Sequence, residues 1–373
     1  MRISFICGSL APGKDGVGDY TRRLATELAD SGHACQLISL NDCEDSESTR
    51  EHGVEIVRFK NALLGKQSHE MEAAIARWNP EWISLQFVCF AFHPKGFTHQ
   101  LTYLIRNLRI GRRLDIMFHE LWVGEQPSLP FKHKVMGRIQ RWLILSALKT
   151  WKPDSIHTSN RLYQHVLERH GYPSERLPIF GNIPIAQAPL TDEFTREADE
   201  RIVLFPFSQR HDWNVGQTLG LLDDAARAAG VRLKLVQIGS LRSGLQHWDT
   251  IETFAQVNGW QCLRLGAQPE EIVSQWMLSA DIGISSAHIL LADKSGAAVA
   301  MHEHGLPVIC TITEPVSNRF KAIPKPDEGF YSFFDDTTTL IELFRNPPKR
   351  APQARLTIVA TKWLEHLSNQ TSC

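Results

Sequence analysis

The stretch Gly16-Val17-Gly18-Asp19-Tyr20 decides the fold of this 373-residue chain. It follows a short apolar run at residues 3–7, which predicts a buried strand, and it opens a segment whose apolar residues recur at helical spacing up to Gly32. Glycines at a strand-to-helix junction allow a ligand to approach the backbone, and a helix N-terminus favours negative charge. The spacing lacks the third glycine of the dinucleotide fingerprint, so the junction indicates either a phosphate site or a plain loop.

The amino-acid composition gives no indication of a nucleic-acid-binding, membrane-spanning or zinc-binding protein. The chain has 40 Lys and Arg against 41 Asp and Glu, so nothing global indicates a nucleic-acid partner. No N-terminal stretch resembles a signal peptide and no apolar run is long enough to span a membrane, so we expect a cytoplasmic location. The seven cysteines are scattered without a Cys-x-x-Cys pair, which predicts reduced thiols and no zinc site.

Strand-like and helix-like segments alternate along the chain, and this alternation predicts an α/β protein with parallel sheets. The predicted strands are 3–7, 34–40, 54–57, 82–87, 114–118 and 155–158 in the first half, and 202–207, 233–238, 262–265, 282–285 and 308–310 in the second. A polar stretch at 187–200 predicts a linker between a first domain at 1–186 and a second at 201–350. A tail at 351–373, helical over 354–367, is expected to return to the first domain.

Six segments resemble, in order and spacing, the retaining GT-B glycosyltransferases of family 4, which use nucleotide-sugar donors. They are GVGDYTRRLATELADSGHACQLISL from Gly16, IMFHELW from Ile116, SIHTSNRLYQHVLERHGYPSERLPIFGNIP from Ser155, LKLVQIGS from Leu233, CLRLGAQPEEIVSQWMLSADIGISSA from Cys262 and SGAAVAMHEHGLPVIC from Ser295. The resemblance implies two Rossmann-like domains facing a central cleft at the carboxyl ends of their strands. It also implies that the acceptor binds mostly to the first domain and the donor mostly to the second.

The predicted catalytic residues are His119 and Glu120. The resemblance aligns His119 with the family histidine beside the reacting sugar, and its position after a predicted strand places the ring at the cleft mouth. An imidazole there hydrogen-bonds a donor hydroxyl and supports charge at the anomeric centre. The alternatives are a strand-end histidine bound to a backbone carbonyl and a solvated or helix-capping carboxylate at Glu120.

The predicted donor site is centred on Lys294, Ser295 and Gly296, which precede a predicted buried helix. A serine N-cap beside a cation suits a diphosphate. The other donor-binding candidates are Gly16, Gly18, Arg210, Gly239 and Gln268. The alternative for each is a tight turn or a solvated surface residue. Cations and helix dipoles are expected to stabilise the leaving diphosphate, so no metal or other cofactor is predicted.

Acceptor contacts are predicted at Asp19, Tyr20 and Trp122. Trp122, Trp213 and His211 are candidates for exposed side chains that stack on a sugar, although aromatic residues pack more often in a core. The partners expected are thus a nucleotide-sugar donor and an acceptor that is a glycan, a lipid or a small molecule.

A basic segment lies in the first domain. Residues 105–152 contain ten Lys and Arg against three acids, and 131–151 interleaves cations with apolar side chains at helical spacing. Such a helix either lies on an anionic membrane surface and reaches a lipid-linked acceptor, or packs with a solvated basic face. The first alternative predicts peripheral contact with the inner membrane face.

The chain departs from the family at the donor site. The family's E-x7-E carboxylates fall at Ala292 and Ala300, with Asp293 and Glu303 nearby but out of register. Arg210 is the one permanent cation where the family has an Arg and a Lys. The leading hypothesis is a retaining, metal-independent hexosyltransferase. The rival is a catalytically weak nucleotide- or glycan-binding GT-B subunit. A third alternative, a glycogen-type phosphorylase, is not favoured, because the sequence shows no lysine in the context that binds pyridoxal phosphate.

Overall fold

A computed structural model describes residues 1–13, 15–42, 46–63, 66–123, 131–190, 197–206, 213–240, 245–312, 320, 322–333 and 335–371. The chain divides into two compact units. The first comprises Met1–Ile179, Val316–Ile323 and Leu356–Cys373, and the second comprises Phe180–Pro315 and Pro324–Arg355. Arg210 and His211, predicted above as site candidates, lie outside the described residues.

An eight-stranded sheet forms the centre of the first unit. Its strands are β1 (Arg2–Cys7), β2 (Ala34–Ser39), β3 (Ser46–Glu51), β4 (Val54–Arg58), β5 (Trp82–Phe87), β6 (Arg113–Phe118), β7 (Ser155–Thr158) and β8 (Glu175–Arg176). Their order is β3-β4-β2-β1-β5-β6-β7-β8, and every pairing is parallel except that of β3 with β4. All six strands predicted for this half are confirmed. The other two escaped prediction because β3 has no apolar alternation and β8 has two residues.

Helices follow the strands of the first unit. They are α1 (Gly16–Asp30), α2 (Lys66–Trp78), α3 (Cys89–Phe92), α4 (His99–Leu108), α5 (Phe131–Trp151) and α6 (Arg161–Arg169). In α1 the apolar residues recur every three or four positions, so Tyr20, Leu24 and Leu28 lie on one buried face. The sequence thus determines both where this helix begins and which side of it meets the sheet.

A six-stranded parallel sheet forms the centre of the second unit. Its strands are β9 (Glu200–Pro206), β10 (Arg232–Ile238), β11 (Gln261–Gly266), β12 (Ile282–Ser285), β13 (Val308–Cys310) and β14 (Phe330–Ser332), in the order β11-β10-β9-β12-β13-β14. Its helices are α7 (Val215–Ala229), α8 (Leu245–Val257), α9 (Glu270–Ser279), α10 (Gly296–Glu303) and α11 (Thr337–Arg345). The five predicted strands are confirmed. Glu200, the last residue of the predicted linker, is the first residue of β9.

The C-terminal helix α12 (Leu356–Thr371) belongs to the first unit. It contacts α1 and β7, and the ring of its buried Trp363 lies 5.4 Å from the ring of Phe5 in β1. The helix starts and ends a few residues later than predicted. Because Trp363 is fully buried, α12 is part of the core of this unit.

Candidate functional site

Among the parallel strands the strand order reverses once in each sheet, and ligands of open α/β sheets bind beside the carboxyl ends of strands at such a point. In the first unit β2 and β5 flank β1, so the loop after β1 lies near the ends of β5 and β6. In the second unit β10 and β12 flank β9. The predicted site residues that the structure describes lie in the segments that follow strands of these two sheets.

The glycine loop of the first unit is tightly packed at Gly18 and open at Gly16. A Cβ atom at Gly18 would lie 2.3 Å from the carbonyl oxygen of Ser9, so glycine is required for α1 to approach the loop after β1. The loop is held by Asp42, whose carboxylate accepts hydrogen bonds from the Leu10 N–H at 2.9 Å and the Ser9 hydroxyl at 3.1 Å. Apart from the adjacent residues and the backbone of α1 itself, no described atom lies within 4 Å of a Cβ built at Gly16.

The N-terminus of α1 is acidic. Asp15 caps the helix and accepts a hydrogen bond from the Val17 N–H at 2.9 Å, and Asp19 accepts one from the Gly13 N–H at 3.0 Å. Burial raises the pKa of the Asp15 carboxyl, and its hydrogen bonds from backbone N–H groups lower it in part. Because carboxylates already accept from these N–H groups, this helix end suits a hydroxylated ligand better than a phosphate.

His119 follows β6 and is buried, with 8% of its surface exposed. Its backbone N–H donates to the carbonyl of Phe87 at 3.0 Å, and its Nε2 lies 2.9 Å from Oε1 of Gln86. Its ring lies 5.0 Å from the Tyr20 ring between centroids, with the two ring planes at 76°. The ring is therefore more buried than expected for a residue at the cleft mouth. One partner of the imidazole is a side-chain amide on the neighbouring strand, which the sequence did not indicate.

A chain of buried hydrogen bonds fixes the orientation of the Gln86 amide. Its Nε2 donates to the hydroxyl of Ser84 at 2.8 Å, and that hydroxyl donates to Oδ2 of Asp115 at 2.6 Å. Oε1 of Gln86 is therefore the acceptor that faces His119. Because this oxygen only accepts hydrogen bonds, Nε2 of His119 must donate to it and therefore carries a proton.

The chain ends at Asp115, a fully buried carboxylate. Besides the Ser84 hydroxyl, it accepts from Nδ1 of His157 at 2.7 Å and from Nε1 of Trp363 in α12 at 3.1 Å. Nε2 of His157 lies 3.0 Å from Nδ1 of His366, whose pKa is lowered by burial and by His157. A buried carboxylate is stable only when it is paired or hydrogen-bonded, and these donors meet that need.

The remaining predicted residues of the first unit vary in exposure. Tyr20 is buried, and burial raises the pKa of its phenol. Glu120 is half-buried directly after His119. Trp122 is buried, with its ring edge-on to His170 at 5.8 Å, so its expected exposure is wrong. The same correction applies to Trp213 in the second unit, which packs in the apolar core.

Lys294, Ser295 and Gly296 come together at the N-terminus of α10, in the loop region that follows β12. Lys294 ends a 3-10 helix (Ile289–Lys294), and the Ser295 hydroxyl accepts from the Ala298 N–H at 3.4 Å. Gly296 is exposed, and apart from the adjacent residues and the backbone of α10 itself no described atom lies within 4 Å of a Cβ built there. The predicted serine cap and the predicted buried helix behind it are confirmed.

Gly239 and Gln268 lie at the carboxyl ends of β10 and β11. The Gly239 N–H donates to the carbonyl of Gly266 at 2.6 Å, and both glycines have positive φ, 97° and 66°. The side-chain nitrogen of Gln268 donates to the Leu265 carbonyl at 2.8 Å. The two loops are thus tied to each other, and their turns require glycine.

Buried alanines stand where the resembled family has carboxylates. Ala292 lies in the 3-10 helix and Ala300 lies in α10, and both are inaccessible to solvent. A Cβ atom at Gly181 would lie 2.7 Å from Cα of Ala300, which explains the glycine in the Gly-Asn-Ile-Pro sequence. Asp293 and Glu303, the two nearby carboxylates, are themselves buried.

His302 is a buried histidine in α10 that sequence inspection missed. Its Nδ1 accepts from Arg355 at 2.8 Å, its Nε2 donates to the Glu328 carbonyl at 2.8 Å, and its ring stacks on Phe330 at 4.6 Å. Burial lowers its pKa to about 4. The neutral imidazole therefore fastens α10 to β14 and to the segment that precedes it.

Comparison with known proteins gives structural matches. No protein-family model and no curated protein sequence matches the chain. Sucrose-phosphate synthase from Thermosynechococcus elongatus superposes with a TM-score of 0.65 at 16% identity, covering 100% of this chain and 98% of that chain. Anabaena HepE, solved with UDP and glucose, gives 0.55 at 14% identity, covering 99% and 100%.

The catalytic domain of starch synthase IV from Arabidopsis thaliana, solved with ADP and acarbose, gives a TM-score of 0.56 at 10% identity, with 100% of both chains covered. Identities this low establish the fold and leave activity to be argued from the residues. The chain has the GT-B glycosyltransferase fold, with two Rossmann-like units each built on a largely parallel sheet.

Proposed function

We propose that this protein is a retaining, metal-independent glycosyltransferase that moves a sugar from a nucleotide diphosphate sugar to an acceptor hydroxyl. The observation that carries the proposal is the N-terminus of α10, where Lys294 and the Ser295 cap adjoin the exposed Gly296 in the unit whose strand order reverses at β9. A cation beside the positive end of a helix dipole suits the two phosphates of such a donor.

The reaction needs charge stabilisation at the leaving group. The acceptor oxygen bonds to the anomeric carbon on the face from which the diphosphate leaves, the carbon–oxygen bond to the diphosphate breaks, and the acceptor proton passes to a phosphate oxygen. Lys294 and the N–H groups at the start of α10 stabilise the negative charge that develops on the diphosphate. Gly239 and Gln268 remain the proposed contacts of the nucleoside, and Arg210 remains a proposed phosphate contact.

His119 is proposed to hydrogen-bond a hydroxyl of the transferred sugar. Gln86 keeps a proton on Nε2 of the His119 imidazole, and the Tyr20 ring packs against the imidazole nearly at a right angle. The acidic N-terminus of α1 suits sugar hydroxyls, so the exposed Gly16 is proposed to line the space for a sugar. Gly18 is proposed to support this space by its close packing against Ser9. Asp19, Glu120 and Tyr20 remain proposed contacts of the sugar or the acceptor.

We include membership of glycosyltransferase family 4 in the same proposal. The buried alanines, however, favour a second candidate function. Ala292 and Ala300 lack the carboxylates with which the resembled family holds its donor. A catalytically weak GT-B subunit that binds a nucleotide or a glycan is therefore the alternative. It predicts nucleotide binding without turnover.

The test is incubation with UDP-, GDP-, ADP- and dTDP-sugars, with and without simple acceptor sugars, followed by measurement of released nucleoside diphosphate. We expect release with one nucleotide class, and we expect His119→Ala to lower turnover by about 10²-fold or more while nucleotide binding persists. His69→Ala is the matched control, because His69 is an exposed histidine on α2. Calorimetric binding of a nucleotide without any release would favour the binding subunit, and unchanged turnover in His119→Ala would remove His119 from the reaction.

A further inference from the structure

Helix α5 carries an exposed apolar stripe. Phe131 is 80% exposed, Trp142 is 68% exposed, and Val135 and Ile139 are 38% and 43% exposed. At 3.6 residues per turn these positions, spaced by four, four and three residues, fall within one quadrant of the helix circumference. Large apolar side chains that are grouped in this way mark an interaction surface, whereas single exposed ones do not.

The opposite face of α5 is fixed in the first unit. Gln140 accepts a hydrogen bond from the Val123 N–H at 3.1 Å and donates one to the Lys95 carbonyl at 2.9 Å. Trp151 is fully buried and donates to the Thr102 carbonyl at 3.2 Å. The helix cannot rotate to bury its stripe without breaking these contacts, so the stripe is presented outward by a rigid support.

Cations flank the stripe on both sides. Lys132 lies on one side, Lys134 and Arg138 lie on the other, and all three are exposed. Arg141 adds a partly exposed cation, and the 21 residues of α5 contain no Asp or Glu. On α5 itself the apolar stripe is thus bordered by positively charged side chains, and the surface complementary to this helix face is an apolar layer bordered by negative charge.

We propose that this face of α5 docks the protein on an anionic lipid bilayer. An interfacial helix buries its apolar stripe among the acyl chains while the flanking Lys and Arg side chains reach the phosphates, and tryptophan favours that depth. In the described part of the chain no helix has the length and apolarity to cross a bilayer, so the contact is peripheral.

A flat bilayer fits this surface better than a second copy of the chain does. A standard protein interface uses roughly 20–30 residues per partner, whereas four apolar side chains and their flanking cations span about three turns of one helix. Two copies joined through this face would also bring two clusters of like charge together.

The test is co-sedimentation of the full-length protein with vesicles of phosphatidylcholine alone or mixed equally with phosphatidylglycerol, without nucleotide. We expect binding to the anionic vesicles that weakens as salt rises, because screening shortens the reach of the charges. A Phe131→Ser, Trp142→Ser double variant and a Lys132→Gln, Lys134→Gln, Arg138→Gln triple variant should each lower the partition coefficient about ten-fold or more.

Val257→Ser is the matched control, because Val257 is an exposed apolar residue of α8 in the other unit. The Val257→Ser variant should bind vesicles as the unaltered protein does, and every variant should have the same melting temperature as the unaltered protein. Absence of binding to anionic vesicles, or equal binding by the stripe and control variants, would overturn the proposal. So would a concentration-dependent dimer in sedimentation equilibrium that the stripe variant abolishes. Because the assay uses no donor, its outcome is separate from that of the transferase test.

Discussion

Gln86 lies in β5 and His119 follows the neighbouring strand β6, and their contact determines which ring nitrogen of the imidazole carries the proton. We expect Gln86→Leu to remove the acceptor at Nε2 and to lower turnover roughly 5- to 30-fold, which corresponds to about 1–2 kcal/mol of lost positioning. Nucleotide binding should be unchanged. The diagnostic measurement is ¹⁵N NMR of the His119 imidazole. In the Gln86→Leu variant it should show the Nε2 proton redistributed between the two ring nitrogens. A variant with an unaltered tautomer and unaltered rate would refute the positioning role.

Lys294 is the cation at the start of α10. We expect Lys294→Ala to weaken nucleoside diphosphate binding by roughly 1.5–3 kcal/mol, the range for a hydrogen bond to a charged group. Calorimetry with the nucleotide found in the substrate screen measures the change. Lys66→Ala, at an exposed lysine of α2, removes the same charge and should bind normally. Equal affinity in both variants would assign the phosphates to other groups.

His302 links stability to pH. Its pKa falls from 6.5 to about 4 in the folded state, so between these values the unfolded chain binds more protons. The free energy of unfolding should therefore decrease as pH falls from about 6.5 towards 4, by at most roughly 3 kcal/mol. Urea unfolding across this range should show a shallower dependence in His302→Gln. His69→Gln serves as the exposed control, and equal slopes in His302→Gln and the unaltered protein would contradict the assignment.

At the scale of elements, α12 completes the core of the first unit. Trp363 packs on Phe5 and donates to Asp115, so we expect Trp363→Ala to lower the free energy of unfolding by roughly 3–5 kcal/mol. Trp363→Phe keeps a ring but loses the donor and should cost about 1–2 kcal/mol. Ile358→Ala, at an exposed position of the same helix, should change stability by less than about 0.5 kcal/mol. Urea unfolding tests the ranking, and a similar cost for Ala at both positions would argue against a core role.

At the scale of the whole molecule, the first unit is assembled from three separate segments of the chain. The strands of each sheet, in contrast, follow one another in sequence, with no strand of the other sheet between them. A chain that ends at Arg355 keeps every strand of the first sheet but loses α12. We expect hydrogen exchange in this truncation to show lost amide protection in β1, β5 and β6, while β9, β10 and β12 stay protected. A synthetic 354–373 peptide should restore protection, and the same peptide with Trp363→Ala should not. Full protection without α12 would show that the first unit folds independently of it.

Short-range patterns in the sequence were enough to predict most strands and helices of this protein. Apolar runs that end at a glycine predicted strands such as β1 and β10 because buried parallel strands are apolar on both faces. The serine before α10 predicted that helix's N-terminus because a hydroxyl there satisfies a backbone N–H. These signals depend on neighbours in sequence, so they needed no tertiary information. The order of the motifs further implied the GT-B fold, which the structural comparison confirmed.

Tertiary structure decided the partners and the exposure of the side chains. Sheet register pairs Ser84 with Asp115, and Trp363 reaches that carboxylate from 248 positions away, so the network that orients His119 has no local signature. The burial of Trp122 agrees with the general tendency of aromatic residues to pack in a core, but its packing beside His170 depends on residues that are distant in sequence. In α5 the sequence determined the charges and the helical period. Which of its faces meets the protein and which meets solvent was decided by the docking of that helix on the first unit, because several of its faces carry apolar residues.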